Sequence, residues 1–180
     1  MKKGFKIIDI AYIGMAVALI ESCKTALLFL PNVELTSFWL IMFTLFMGWK
    51  AFIIVPIFIA IEASFYGPHV WVIMYLYVWP LLIIQALLFR KNDNALFWAL
   101  VSGFFGLTFG ALCTPAQVIF FVKAKTLEAG LKAGVAWWIA GIPYDLIHGA
   151  ANFVICLLLF RPLNNALEIM RTKGGLAFPE

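Results

Sequence analysis

Apolar stretches of membrane-crossing length follow one another through this 180-residue chain, separated only by short polar loops. A bilayer core about 30 Å thick takes about 20 apolar helical residues to cross. Backbone polar groups in lipid must be satisfied within the span, and a continuous helix does that without outside partners. Hydrophobic residues make up 64% of the chain and charged residues 12%, against about 45–50% and about 25% in ordinary soluble domains. A soluble fold of this size could not cover so much apolar surface. The fold class expected is an all-α integral membrane protein, in one domain over 1–180.

Six spans are expected, over about 8–30, 35–48, 50–66, 70–89, 95–122 and 133–160. Pro31-Asn32, Gly67-Pro68 and the run Arg90-Lys91-Asn92-Asp93-Asn94 mark three of the breaks. The second and third stretches are short enough that they barely span without local thinning of the bilayer. The opening Lys2-Lys3-Gly4-Phe5-Lys6 followed by an apolar run has the outline of a signal peptide. Glu21 and Lys24 interrupt that run and no A-x-A-like site follows, so a retained first span is expected.

Lys and Arg in short loops set orientation. With the N-terminus inside, the inner loops hold Lys2, Lys3, Lys6, Lys50, Arg90, Lys91, Arg161, Arg171 and Lys173, and the outer side holds Lys123, Lys125 and Lys132. Nine against three puts both termini in the cytoplasm. The net charge of +4 sits in these loops and gives no reason to invoke nucleic acid.

The polar residues within the apolar stretches are unevenly distributed. An ionised side chain at the bilayer centre costs on the order of 2.5–3.5 kcal/mol even on the mildest scales. On the assigned topology Glu21, Lys24, Glu62, Thr114, Gln117, Trp71, Tyr75, Trp137, Trp138, Tyr144 and Asp145 all fall in outer halves. His148 and Asn152 sit near the midplane, and outer loops add Asn32, Glu34 and His69. The inner halves carry almost no ionisable groups, which favours a cavity open to the outside.

Spacing adds detail. Glu21 and Lys24 are three apart and able to pair along one helix; a neutralised, snorkelling pair with no ligand is the plainer reading. Asp145, His148 and Asn152 form an i, i+3, i+7 stripe, which interhelical hydrogen bonding alone would also explain. The aromatic residues suit an interfacial belt as well as a binding site. Glu62 has no basic neighbour in sequence, so its partner comes from another span or a ligand. Gly14-x-x-x-Ala18 and Gly106-x-x-x-Gly110 permit close helix approach. Internal packing is the default for the second, while the first suits a partner subunit.

Cys23, Cys113 and Cys156 share no metal-binding spacing and read as small buried hydrophobes. There is no GxxxxGK[ST] phosphate loop, so any ATP hydrolysis belongs to another chain. No HExxH is present and no nucleophile–base–acid set stands out, so no enzyme is expected, no cofactor is expected, and Asp145 with His148 alone makes a poor metal site.

Taken with Leu30-Pro31-Asn32-Val33-Glu34, Trp79-Pro80 and Gly141-Ile142-Pro143-Tyr144-Asp145-Leu146-Ile147-His148-Gly149 with Asn152, the six-span layout resembles the S-components of energy-coupling factor (ECF) transporters. These are substrate-binding membrane subunits of vitamin importers in bacterial cell membranes, and the resemblance runs over nearly the whole chain. It implies capture of a vitamin-like substrate from outside. Docking on a transmembrane coupling subunit driven by two cytoplasmic ATPases would follow, and then toppling to release the substrate inward. The family's docking face is an AxxxA motif on span one, which Gly14 and Ala18 match with Gly for the first Ala. The wide aromatic mouth favours a corrinoid such as cobalamin; a flavin or a modified purine base such as queuine also fits. Rival readings are a proton-coupled secondary transporter with Glu21, Glu62, Asp145 and His148 as a relay, and an intramembrane enzyme using Asp145 and His148.

Overall fold

A computed structural model describes residues 5–122 and 126–173 of the chain. All regular structure among them is helical: α1 Ile7–Ala26, α2 Thr36–Met47, a 3-10 turn Gly48–Ile53, α3 Ile54–Tyr66, α4 Val70–Leu88, α5 Ala95–Leu107, α6 Phe109–Val122 and α7 Leu127–Lys173. Among the described residues, four helical stretches are long and apolar enough to cross a membrane: Thr36–Tyr66, Val70–Leu88, Ala95–Phe120 and Leu127–Met170. The 20 residues of α1 are not among them, because Asp9, Glu21 and Lys24 all fall within it. The surface suits lipid. Phe104 is 63% exposed and Leu158 67%, in a protein whose apolar exterior is far too extensive for water.

Side-chain contacts fix the direction of each helix. Tyr12 packs on Phe46 at 5.0 Å between ring centroids, and Trp39 Nε1 donates to Cys23 Sγ at 3.3 Å, so α2 runs antiparallel to α1. Lys50 meets Asp9 at 2.6 Å while Glu62 meets Lys24, so α3 runs parallel to α1. The expected stretches 35–48 and 50–66 are thus a hairpin, but one whose helical hydrogen bonding barely stops at the bend. Gly48, at φ 64, supplies the left-handed residue that reverses the chain, a conformation a β-carbon disfavours. Helices of 12 and 13 residues are only about 18–20 Å long, short of the hydrocarbon thickness.

The second half of the molecule is one long antiparallel pair. Trp98 stacks on Phe160, Gly106 faces Gly149 and Gly110 faces Asp145. A β-carbon on Gly106 would come within 2.8 Å of Gly149 Cα, so here the two backbones touch. Between helices in lipid, apolar burial supplies little drive and close packing of this kind carries the association. The Gly106–Gly110 motif serves internal packing.

Three elements depart from their expected bounds. The first helix ends at Ala26, and Leu27–Leu30 form turns before Pro31. Span five is interrupted at Thr108, whose hydroxyl donates back to Phe104 O at 2.9 Å and Phe105 O at 3.2 Å, a habit that bends helices. The last helix begins at Leu127, ahead of the expected 133, and passes the expected stop at Phe160 and Pro162 to reach 47 residues, about 70 Å. Of the lysines behind the orientation argument, Lys2, Lys3, Lys123 and Lys125 lie outside the described residues.

The halves expected to face inward are not empty of charge. Asp9 and Lys50 form a buried ion pair, 1% and 4% exposed. Asp9 also accepts from the Lys6 backbone N–H at 2.7 Å, and Lys50 lies over the Phe5 ring at 5.4 Å. Lys50 reads in sequence as a loop residue between spans, but the hairpin turns so tightly that it folds inward against α1.

Candidate functional site

The opposite end of the bundle holds a cavity of about 520 Å³. Trp71, Met74 and Tyr75 of α4 form one wall, Phe109, Gly110 and Cys113 of α6 another, and Trp137, Trp138, Ala140, Gly141, Tyr144 and Asp145 of α7 a third. Asn32, from the α1–α2 loop, reaches the mouth. It has φ 58, a left-handed conformation that Asn tolerates better than most residues. Helical spacing builds the walls: Trp71, Tyr75 and Trp79 recur every four residues on α4, with ring centroids 5.2 and 5.3 Å apart. Phe109 closes the gap between Trp79, at 5.4 Å, and His148, at 4.9 Å.

Charged groups ring the cavity, and all but one are matched. Lys24 forms its direct ion pair across the bundle with Glu62, while Glu21 on the same helix stays within its electrostatic reach. Glu62 is 3% exposed and a carboxylate that deep needs a counter-ion. Lys24 also lies 5.5–6.0 Å from the ring centroids of Phe58, Tyr66 and Tyr75, which holds its ammonium in an aromatic box.

Glu34 ties the α1–α2 loop to two helices. Its carboxylate accepts from the backbone N–H groups of Thr36 and Ser37, at 3.2 Å for the latter, and from the Ser37 hydroxyl at 2.7 Å, capping α2. His148 Nε2 of α7 lies 2.9 Å from Oε1, the oxygen that also accepts from the Ser37 hydroxyl. Burial pushes the Glu34 carboxyl up, but the His148 contact and the Thr36 and Ser37 bonds outweigh it and bring it down to about 2.

Asp145 is different. Its Oδ1 accepts from Gly110 N–H at 3.0 Å, while Oδ2, buried, has no hydrogen-bond partner. Trp138, seven residues earlier on the same face, stands within reach of the carboxylate. Gly110 is needed here, since a β-carbon there would lie 2.4 Å from Oδ2.

Of the residues marked in sequence, Asn32, Trp71, Tyr75, Trp138, Tyr144 and Asp145 line the cavity, and Glu34, His148, Lys24 and Glu62 stand behind its walls. Asn152 is wholly buried one turn below His148, with neither side-chain amide atom hydrogen-bonded. Three do not belong to the lining. His69 is exposed at the start of α4, Gln117 is buried one turn beyond Cys113, and Glu21 lies on α1 away from the hollow. Sequence reasoning missed Met74, Phe109 and Cys113, apolar residues whose type gives no sign of a site; only their spacing from Trp71, Gly110 and Gly106 does.

Comparison with protein-family models, with curated proteins and with solved structures finds no match to this chain.

Proposed function

We propose that the chain is the substrate-binding membrane subunit of an ECF-type importer for a vitamin-like nutrient in a bacterial cell membrane, with six membrane-crossing segments and both termini cytoplasmic. The observation that carries the reading is the aromatic cavity at one end of the bundle, bounded by the α1–α2 loop and the near ends of α4, α6 and α7. At about 520 Å³ it falls within the roughly 300–1,000 Å³ typical of small-molecule sites. That volume suits a flavin- or queuine-sized ligand as it stands, while a corrinoid would need the mouth to widen. Energy would come from two cytoplasmic ATPases acting through a transmembrane coupling subunit.

On α1, Ala11, Gly14 and Ala18 share an exposed face, and a β-carbon on Gly14 would meet nothing within 4 Å. A partner helix could approach closely there. Gly14→Leu or Ala18→Leu should abolish association with a coexpressed coupling subunit while ligand binding by the purified chain stays unchanged. Association that survives both substitutions moves docking elsewhere; loss of binding as well points to damage of the fold.

A proton-coupled carrier is the second reading, and the buried Asp9–Lys50 pair favours it, since a relay needs ionisable groups at both ends of the path. Against it, the pair lies at the other end of the bundle from the cavity.

A further inference from the structure

The charges around the cavity do not balance. Among the described residues that line or back it, Glu34, Glu62 and Asp145 supply three carboxylates, and Lys24 and His148 supply two cationic groups at most. That leaves one carboxylate in excess even with His148 protonated. The outlying Lys132 is matched by Glu128 at 2.7 Å. Lys24 and His148 are each already engaged by a carboxylate, so neither cation is available to a ligand. Of these carboxylates, only Asp145 lines the cavity, and its buried Oδ2 has no hydrogen-bond partner. Much of the rest of the wall is aromatic, from Trp71, Tyr75, Phe109, Trp137, Trp138 and Tyr144.

Electron-rich ring faces attract a cation, more strongly where water is excluded, and a buried carboxylate left unpaired is costly until a counter-charge reaches it. An anionic ligand would meet this excess negative charge with no unengaged cation to receive it.

We propose that the cavity selects a small, flat organic cation, with its positive nitrogen directed to Asp145 and its ring held between the Trp and Tyr side chains. The assignment rests on the importer reading only for its biological purpose; the recognition chemistry stands on the cavity itself.

The test uses the purified full chain in detergent and three probes of one ring size: 1-methylnicotinamide (cation), nicotinamide (neutral) and nicotinate (anion). Binding is read by quenching of intrinsic tryptophan fluorescence, since Trp71, Trp137 and Trp138 line the site. The cation should bind at least about tenfold more tightly than the neutral probe, and nicotinate weakest. Asp145→Asn keeps an oxygen for the Gly110 N–H and should remove the cation's advantage while leaving nicotinamide within about twofold. Wild-type affinities that ignore charge, a preference for nicotinate, or no cation binding in the millimolar range would each overturn the proposal, whether or not the variant folds. Coexpression with the coupling subunit separates this from the importer reading. Cation preference without complex formation keeps the ligand class and discards the importer; complex formation with a charge-blind cavity does the reverse.

Discussion

Glu34 shows how much one loop carboxylate can organise. It caps α2 and meets His148 of α7 in the same geometry, so it fixes where the α1–α2 loop sits over the cavity. Its carboxyl is held at about 2 against an ordinary 4.5. A carboxyl that binds its proton more weakly when folded adds stability that is complete above pH 4.5 and is lost as pH falls toward 2. Thermal unfolding of the detergent-solubilised chain should therefore weaken across that window, and Glu34→Gln should flatten the dependence while lowering stability at neutral pH. Parallel curves for the two proteins would contradict the role given to Glu34. The same residue marks a limit of sequence reasoning. Its place in the loop beside α2 was legible, but its pairing with His148, 114 residues away, was not. The same holds for Lys24, for which spacing offered Glu21 and the fold supplied Glu62.

Helix packing in the second half depends on glycine. Gly106 and Gly149 allow α5 and α7 to touch, whereas Gly14 faces open space. Gly106→Val should cost about 1–3 kcal/mol through overpacking, and Gly14→Val should change stability by less than about 0.5 kcal/mol; thermal unfolding of both variants in detergent checks the pair. Equal effects would mean that the close α5–α7 contact is not what holds the hairpin. Element positions were largely legible, because Pro31, Gly67-Pro68 and Arg90–Asn94 interrupt apolar runs as lipid and backbone chemistry require. Element ends were less so. The bend at Thr108 comes from a hydroxyl bonding back into its own helix, and α7 continues past Phe160 straight through Pro162. Hydropathy reports neither.

At the scale of the molecule, the bundle has two unlike ends. One is closed by the Asp9–Lys50 pair; the other opens into an aromatic hollow with a surplus of carboxylates. Segregation of polar groups toward one end was readable from the alternating direction of the spans. The Asp9–Lys50 pair was not, since both residues stand at the edges of apolar runs, where charges are ordinarily solvated. An open end and a closed end suit a protein that captures from one side and needs a partner to release to the other. Reconstitution in liposomes measures this directly: uptake of the nutrient that copurifies with the chain, identified by mass spectrometry, with and without the coupling subunit, the ATPases and ATP. Uptake is expected only when all are present, with the chain alone binding but not transporting. Accumulation by the chain alone in ATP-depleted vesicles would contradict it.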